Sequence, residues 1–315
     1  MNCLGSPCEP TRSDMHRMLL VDDEADIVDI LSRGLELKGM LVDAYSSPRQ
    51  ALQAFKPNLY DLAILDIRMP VLSGFQLYRE MKKIDPAITV CFLSAFEMYS
   101  NEFKSMFPSM NDVKTIIKKP ISINELLKQI TPSLKISALA RAVPGEHILV
   151  VFETHKELVE QALECLKIGL LEKEEDVMLV TDAIPVDRIR NKISSEWNID
   201  IDSMEENGRI RLSTFHDWHK TDGKFELQKS ITRLRKKLEQ SLARGRKGFR
   251  CFEDMSPFFS LDLKHEGLRY ESVLEKKFDL PLVAICAYTR QSIEQLDSPA
   301  IELLHQHHSR LIGSP

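Results

Sequence analysis

The chain has 315 residues with 43% hydrophobic and 28% charged side chains, which supports two globular cores and excludes a wholly disordered chain. A formal net charge of −5 and an isoelectric point near 6.0 give no global basic field, so direct nucleic-acid binding is not expected. No apolar run approaches the ~18 residues of a membrane span, and the opening MNCLGSPCEPTRSD lacks the apolar core of a signal peptide, so a cytoplasmic location is expected.

Residues 1–16 read as a flexible tail of small, polar and proline residues, in which Cys3 and Cys8 have no second cysteine pair to complete a zinc site. Regular patterning begins at Met18. MLLV reads as a buried strand closed by Asp22, Asp23 and Glu24. In ADIVDILSRGLELKG, apolar residues recur at helical spacing (Ile27, Ile30, Leu31, Leu35) and Gly39 supplies a stop. LVDAYS is strand-like, and SPRQALQAFK opens with the serine and proline of a helix start. DLAILD is an apolar strand; GFQLYREMKKID is a helix ending before Pro86; ITVCFLSA is a strand. EMYSNEFKSMF reads as a helix, KTIIKKP as a strand and SINELLKQI as a final helix.

Strands that are apolar throughout are buried on both faces, which predicts a parallel sheet covered by helices. In such sheets the functional crevice lies at the carboxyl ends of the strands. The polar residues placed there are Asp22 and Asp23, Asp66, Ser94 and Lys119, one strand end after another. Crowded carboxylates repel and call for a cation. An oxygen-rich site with room for water suits Mg²⁺, and a lysine and a serine hydroxyl suit a phosphoryl group. The chemistry implied is phosphoryl transfer onto a carboxylate.

On the strings LLVDDE, LAILDIRMPVLSG, FLSA and IIKKP, residues 17–131 resemble a response-regulator receiver domain, a doubly wound five-stranded parallel (βα)5 fold of the flavodoxin-like kind. The resemblance implies Asp66 as phosphoacceptor, with Mg²⁺ bound by Asp23, by Asp22 through water, by Asp66 and by the backbone carbonyl of Arg68. It further implies that Lys119 grips a phosphoryl oxygen, that the Lys119–Pro120 bond is cis, and that Ser94 swings towards the phosphate. Gly74 matches the family's loop glycine. Ile116 stands where the family often has a switching aromatic, and a β-branched side chain cannot act as a rotating ring. The segment FPSMNDVK also lacks the family's common pair of small residues, so the usual output surface is expected to be altered.

Residues 132–145 read as a linker, marked by Pro132, Pro144 and Gly145. Beyond it, ILVVF, DVMLVTD, IRLST, FRCFEDM and PLVAICAY read as strands and KELVEQALECLKIGLLEKEE as an amphipathic helix, again α/β with a mostly parallel sheet. The turn ETHKE has neither the glycines nor the Gly-Lys-Ser/Thr of a phosphate-binding loop, so ATP hydrolysis is not expected. His216 and His219 flank a segment that looks exposed and read as surface residues, as do His305, His307 and His308 at a polar helix end. RLRKKLEQSLARGRKGFR reads as a solvated helix face followed by a loop. Cys91, Cys165, Cys251 and Cys286 lie within or beside apolar segments and read as small buried hydrophobes.

On the strings EHILVVFETHKELVEQALECLKIGLLEKEEDVMLVT, GFRCFEDM and VAICAY, with Glu271 at a matching acidic position, residues 146–311 resemble the MEDS sensory domain. That implies a RecA-like α/β fold without nucleotide-binding loops over residues 146–315, serving as a sensory or interaction module. Its ligand site is looked for around Arg250, Glu253, Met255 and Tyr288. The reading is then a two-component response regulator phosphorylated by a sensor histidine kinase, signalling through a downstream protein or small-molecule ligand, and compatible with a homodimer. It is not expected to be an enzyme beyond its own phosphotransfer and dephosphorylation. The competing readings are a transcriptional regulator with an unrecognised DNA-binding output and a degenerate RecA-like ATPase.

Overall fold

A computed structural model describes residues 16–95 and 113–313, and the chain divides into two compact units between Ser137 and Ala138. The first unit is a five-stranded parallel sheet made of β1 (Arg17–Val21), β2 (Leu41–Tyr45), β3 (Leu62–Asp66), β4 (Val90–Ser94) and β5 (Val113–Lys118). Their order is β2-β1-β3-β4-β5, the 2-1-3-4-5 order expected of a flavodoxin-like sheet. The described helices are α1 (Ala25–Glu36), α2 (Pro48–Ala54), α3 (Gly74–Ile84) and α4 (Ile123–Ala140). The helix expected over residues 97–107 lies outside the described residues, as do Cys3 and Cys8.

Because successive side chains of a strand point to opposite faces, the sheet feeds two cores. Leu19, Val21, Ala63, Leu65 and Phe92 pack on one face; Met18, Leu20, Ile64, Leu93 and Ile117 pack on the other. Local signals set the helix starts. Ser47 accepts a hydrogen bond from the Gln50 amide with Pro48 next in line, and Ser73 and Gln76 cap each other reciprocally at α3.

The segment expected as a linker is different in its first part. α4 runs through Pro132 to Ala140, although an interior proline removes a helix hydrogen bond. Burial outweighs that cost: Leu134 joins the first unit's core, and Ala138, Leu139 and Ala142 join the second's.

The second unit holds β6 (His147–Phe152), α5 (His155–Leu171), β7 (Glu175–Val180), α6 (Val186–Trp197), α7 (Ile201–Glu206), β8 (Ile210–Ser213) and α8 (Phe215–His219). A two-stranded ribbon of β9 (Lys220–Thr221) and β10 (Lys224–Phe225) precedes α9 (Leu227–Ala243) and β11 (Gly248–Asp254). Then follow α10 (Ser256–Ser260), α11 (Lys264–Val273), β12 (Leu282–Thr289), α12 (Arg290–Ile293), α13 (Ser298–His307) and β13 (Arg310–Ile312). Six strands form one parallel sheet in the order β13-β6-β12-β11-β7-β8, the α/β class expected. Residues of α5 and α6 pack with Ile148, Val150, Leu179 and Phe252 on one face. Residues of α9, α11 and α13 pack with Leu149, Val151, Phe249 and Ala284 on the other.

Candidate functional site

The strand ends of the first unit bring the expected residues together. Asp22 follows β1 directly and is fully buried, whereas Asp23 and Glu24 face solvent. Lys119, one residue past β5, places its Nζ 2.5 Å from Asp22 Oδ2 and 2.6 Å from Asp66 Oδ1. The other carboxylate oxygen of Asp66 accepts the Arg68 amide at 2.6 Å. The Lys119 amide donates to the Ser94 carbonyl at 2.8 Å, which ties the ends of β4 and β5 together, and the Lys119–Pro120 bond is cis. Ser94 is buried at the end of β4, next to Leu93, the residue that pairs with Asp66.

Electrostatics follow from this crowding. Burial pushes the Asp22 carboxyl up, and the Asp66 charge adds to that against the bonds from Lys119. Burial alone would pull the Lys119 ammonium down, but its bonds to Asp22 and Asp66 outweigh it and hold the group above its ordinary value. Asp22, Asp23 and Asp66 offer only hard oxygen donors and outnumber the one lysine. Asp23 is open to water. This donor set fits Mg²⁺, which keeps several waters and takes one or two carboxylates.

The loop that carries Asp66 into α3 is tightly built. A Cβ on Gly74 would lie 2.2 Å from the Asp66 carbonyl oxygen, and the Gly74 amide donates to the Ile67 carbonyl at 3.1 Å. Gly74 therefore permits a close backbone approach that holds Asp66 in place. Val71 in the same loop has φ of 71°, a conformation that a β-branched residue rarely adopts.

The four residues expected to mark a ligand site in the second unit do not converge. Alternation along β11 puts Arg250 and Glu253 on opposite faces of the sheet. Arg250 is fully buried, bonded to Glu175 through Nε at 2.6 Å and Nη2 at 3.3 Å, and donates to the Leu139 carbonyl at 3.2 Å. A Cβ on Gly169 would meet both charged groups at 2.8 Å, so that glycine makes room for the pair. On the other face, Tyr270 donates to Glu253 at 2.9 Å and Tyr288 donates to Glu271 at 2.6 Å. Met255 is buried in the apolar cluster of that face. Arg250 therefore stands apart from Glu253, Met255 and Tyr288, which lie on the other face.

Two histidine expectations are overturned. His216 is exposed, but His219 is fully buried, 3.1 Å from the Ser230 hydroxyl and 3.2 Å from Glu253. His305 is exposed, whereas His308 is buried beside Glu271. In both cases the chain turns inward at the end of a short helix, which apolar periodicity does not register. The basic run is also only partly solvated, since Arg244 bonds the buried Asp176 at 2.7 Å.

Comparison with known proteins matches two families, one on each side of residues 132–145. The model of the response regulator receiver domain matches residues 18–131. PrrA, a transcriptional regulatory protein of Mycobacterium tuberculosis, is 31% identical over 119 residues, 38% of this chain and 50% of that protein. The response regulator SaeR of Staphylococcus aureus is 32% identical over 116 residues, 37% of this chain and 49% of that protein. The chain thus spans about half the length of the curated relatives it matches. Among solved structures, TrrA of Thermotoga maritima in complex with Mg²⁺ and BeF is 28% identical, with a TM-score of 0.32, covering 38% of this chain and 99% of that one. Over residues 146–309, more than half of the chain, the matching model is MEDS, the methanogen/methylotroph DcmR sensory domain. The chain belongs to the MEDS family, and its MEDS domain follows a response regulator receiver domain.

Proposed function

We propose that the protein is a two-component response regulator that accepts a phosphoryl group on Asp66 and relays the signal through its MEDS domain without binding DNA. The observation that carries this reading is the Lys119 ammonium bridging Asp22 and Asp66 at the rim of the sheet. Asp66 Oδ1 is the nucleophile; its partner oxygen is held by the Arg68 amide, which orients the carboxylate. A phosphohistidine of a sensor kinase loses its P–N bond as the P–O bond to Asp66 forms. Lys119 then transfers from Asp66 Oδ1 to a phosphoryl oxygen, and the Ser94 hydroxyl donates to another. Asp22, Asp23, Asp66 and the Arg68 carbonyl would hold Mg²⁺, which neutralises charge developing on the phosphoryl oxygens.

The signalling output in this reading is a protein or ligand contact of the MEDS domain, with no catalysis beyond the receiver's own phosphotransfer and dephosphorylation. No helix among the described residues is long and apolar enough to cross a membrane, and the expected place of action is the cytoplasm. A homodimer is compatible with this arrangement. The ATPase reading is disfavoured by the turn after β6. The Thr154 hydroxyl accepts the Glu157 amide at 3.1 Å and the Glu157 carboxylate accepts the Glu153 amide at 2.9 Å. Donors that a phosphate would need are taken, and two carboxylates stand beside them.

The test is intact-mass measurement after treatment with acetyl phosphate and Mg²⁺. A phosphoryl adduct on the wild type that is absent from Asp66→Ala supports the reading; no adduct even with a cognate kinase overturns it. The regulator PrrA gives a second reading, transcriptional control, and sequence-selective DNA binding by the full chain would favour it.

A further inference from the structure

One face of the MEDS sheet hides a polar quartet that the receiver chemistry does not use. His147 begins β6, Cys286 lies in β12, Glu271 in α11, and His308 follows α13; all four are buried. Their donor atoms all lie within 4.8 Å of one another. His147 Nε2 is 3.3 Å from Cys286 Sγ and 3.4 Å from Glu271 Oε2. Glu271 Oε2 is also 3.4 Å from Cys286 Sγ and 3.4 Å from His308 Nε2. Metal–ligand distances of about 2.0–2.1 Å to nitrogen or oxygen and about 2.3 Å to sulfur give tetrahedral edges of roughly 3.3–3.6 Å. Four of the six donor–donor separations are edges of that size, and the other two lie within 4.8 Å.

The surrounding contacts aim the donors inward. His147 Nδ1 faces the His307 carbonyl at 2.8 Å, and His308 Nδ1 faces the Leu304 carbonyl at 2.6 Å. A carbonyl only accepts, so each Nδ1 carries a proton and each Nε2 is the ring nitrogen left facing the cluster. His308 Nε2 is buried and has no hydrogen-bond partner. Glu271 Oε1 is taken by the Tyr288 hydroxyl at 2.6 Å, leaving Oε2 for the centre. Lone pairs pointed at a carboxylate oxygen repel unless a cation stands between them.

We propose that His147, Glu271, Cys286 and His308 form a closed tetrahedral site for a divalent transition ion of the zinc class. Two imidazole nitrogens, a thiolate and one carboxylate oxygen suit such an ion, whereas Mg²⁺ and Ca²⁺ take oxygen donors. The charges close as well: the dication, the thiolate and the carboxylate sum to zero, as a buried site requires. A thiol coordinated to such an ion is deprotonated, its proton passing to solvent. With four protein ligands the site has no open position, so it fastens structure rather than performing catalysis. The segment it fastens is the C-terminal one, because the Ser309 amide donates to the His147 carbonyl at 2.8 Å and leads into β13.

The test uses the full chain produced in medium containing Co²⁺ as the sole added transition metal. One cobalt per chain, with a thiolate-to-cobalt charge-transfer band and tetrahedral ligand-field bands, is expected, as is one zinc per chain in zinc medium. Cys286→Ala should lose the charge-transfer band, and Tyr288→Phe, which keeps all four ligands, should weaken binding by about 10- to 100-fold. If Cys286→Ala does not fold, the weakening in Tyr288→Phe decides the question. A folded wild type with neither metal nor band overturns the proposal, with protons as the occupants of the cluster. A band that survives in Cys286→Ala also overturns it, since other thiols such as Cys3 and Cys8 would then be the ligands.

Discussion

The receiver rim and the MEDS interior solve the same problem, grouping ionisable side chains, in opposite ways. At the rim Asp23 stays in water and one lysine bridges two carboxylates. Under the MEDS sheet His147, Glu271 and His308 are sealed from solvent, and Arg250 lies against Glu175 on the opposite face. Solvent tolerates an imperfect charge balance; an interior does not, because each unpaired ion there costs several kcal/mol. The rim is therefore free to carry chemistry that alters its charge, whereas the interior groups are bound up with stability.

Substitutions separate the two cases. The largest effect is Asp66→Ala, expected to abolish the phosphoryl adduct in intact-mass measurements while leaving the receiver's unfolding transition nearly in place. A collapse of the receiver instead would erase the distinction. Next, Arg250→Ala strands the Glu175 carboxylate in the interior and should cost about 3–5 kcal/mol in urea unfolding of the MEDS domain. The double change Arg250→Met with Glu175→Leu should recover all of that or exceed it, since apolar replacement of a buried pair is commonly neutral or stabilising by about 1–4 kcal/mol. Should the single change be as mild as a surface substitution, the interior is wetter than the packing indicates.

Gly74→Ala tests whether the rim has a rigid floor. Its Cβ would press 2.2 Å from the Asp66 carbonyl, and overpacking of this kind costs about 1–3 kcal/mol. Slower phosphorylation with acetyl phosphate, at rates normalised to folded protein, is expected beyond the stability loss. The smallest effect is Ser73→Ala, which removes the α3 cap and should cost about 1 kcal/mol of receiver stability with the phosphorylation rate unchanged.

Much of the receiver was legible beforehand because its signals are local. Asp22, Asp66 and Lys119 each end or follow an apolar strand, and strand ends of a parallel sheet converge whatever the remaining packing is. Ser47 with Pro48 announces α2 at its first residues. The MEDS interior offered no such signal. His308 follows a helix of ordinary amphipathic pattern, and His219 ends one of five residues. The set Arg250, Glu253, Met255 and Tyr288 spans two faces of one sheet, a matter of strand alternation that was open to inspection in FRCFED.

By itself the sequence determined the two parallel α/β units and the carboxylates, serine and lysine at the strand ends, since periodicity and caps act over a few residues. Only the tertiary structure decided that α4 continues through Pro132, that Lys119 bridges Asp22 and Asp66, and that His147 and His308 meet across 160 residues of chain around Glu271 and Cys286. Those outcomes depend on which buried surfaces fit together, and burial energy summed over a whole core outweighs the local preferences that a sequence displays.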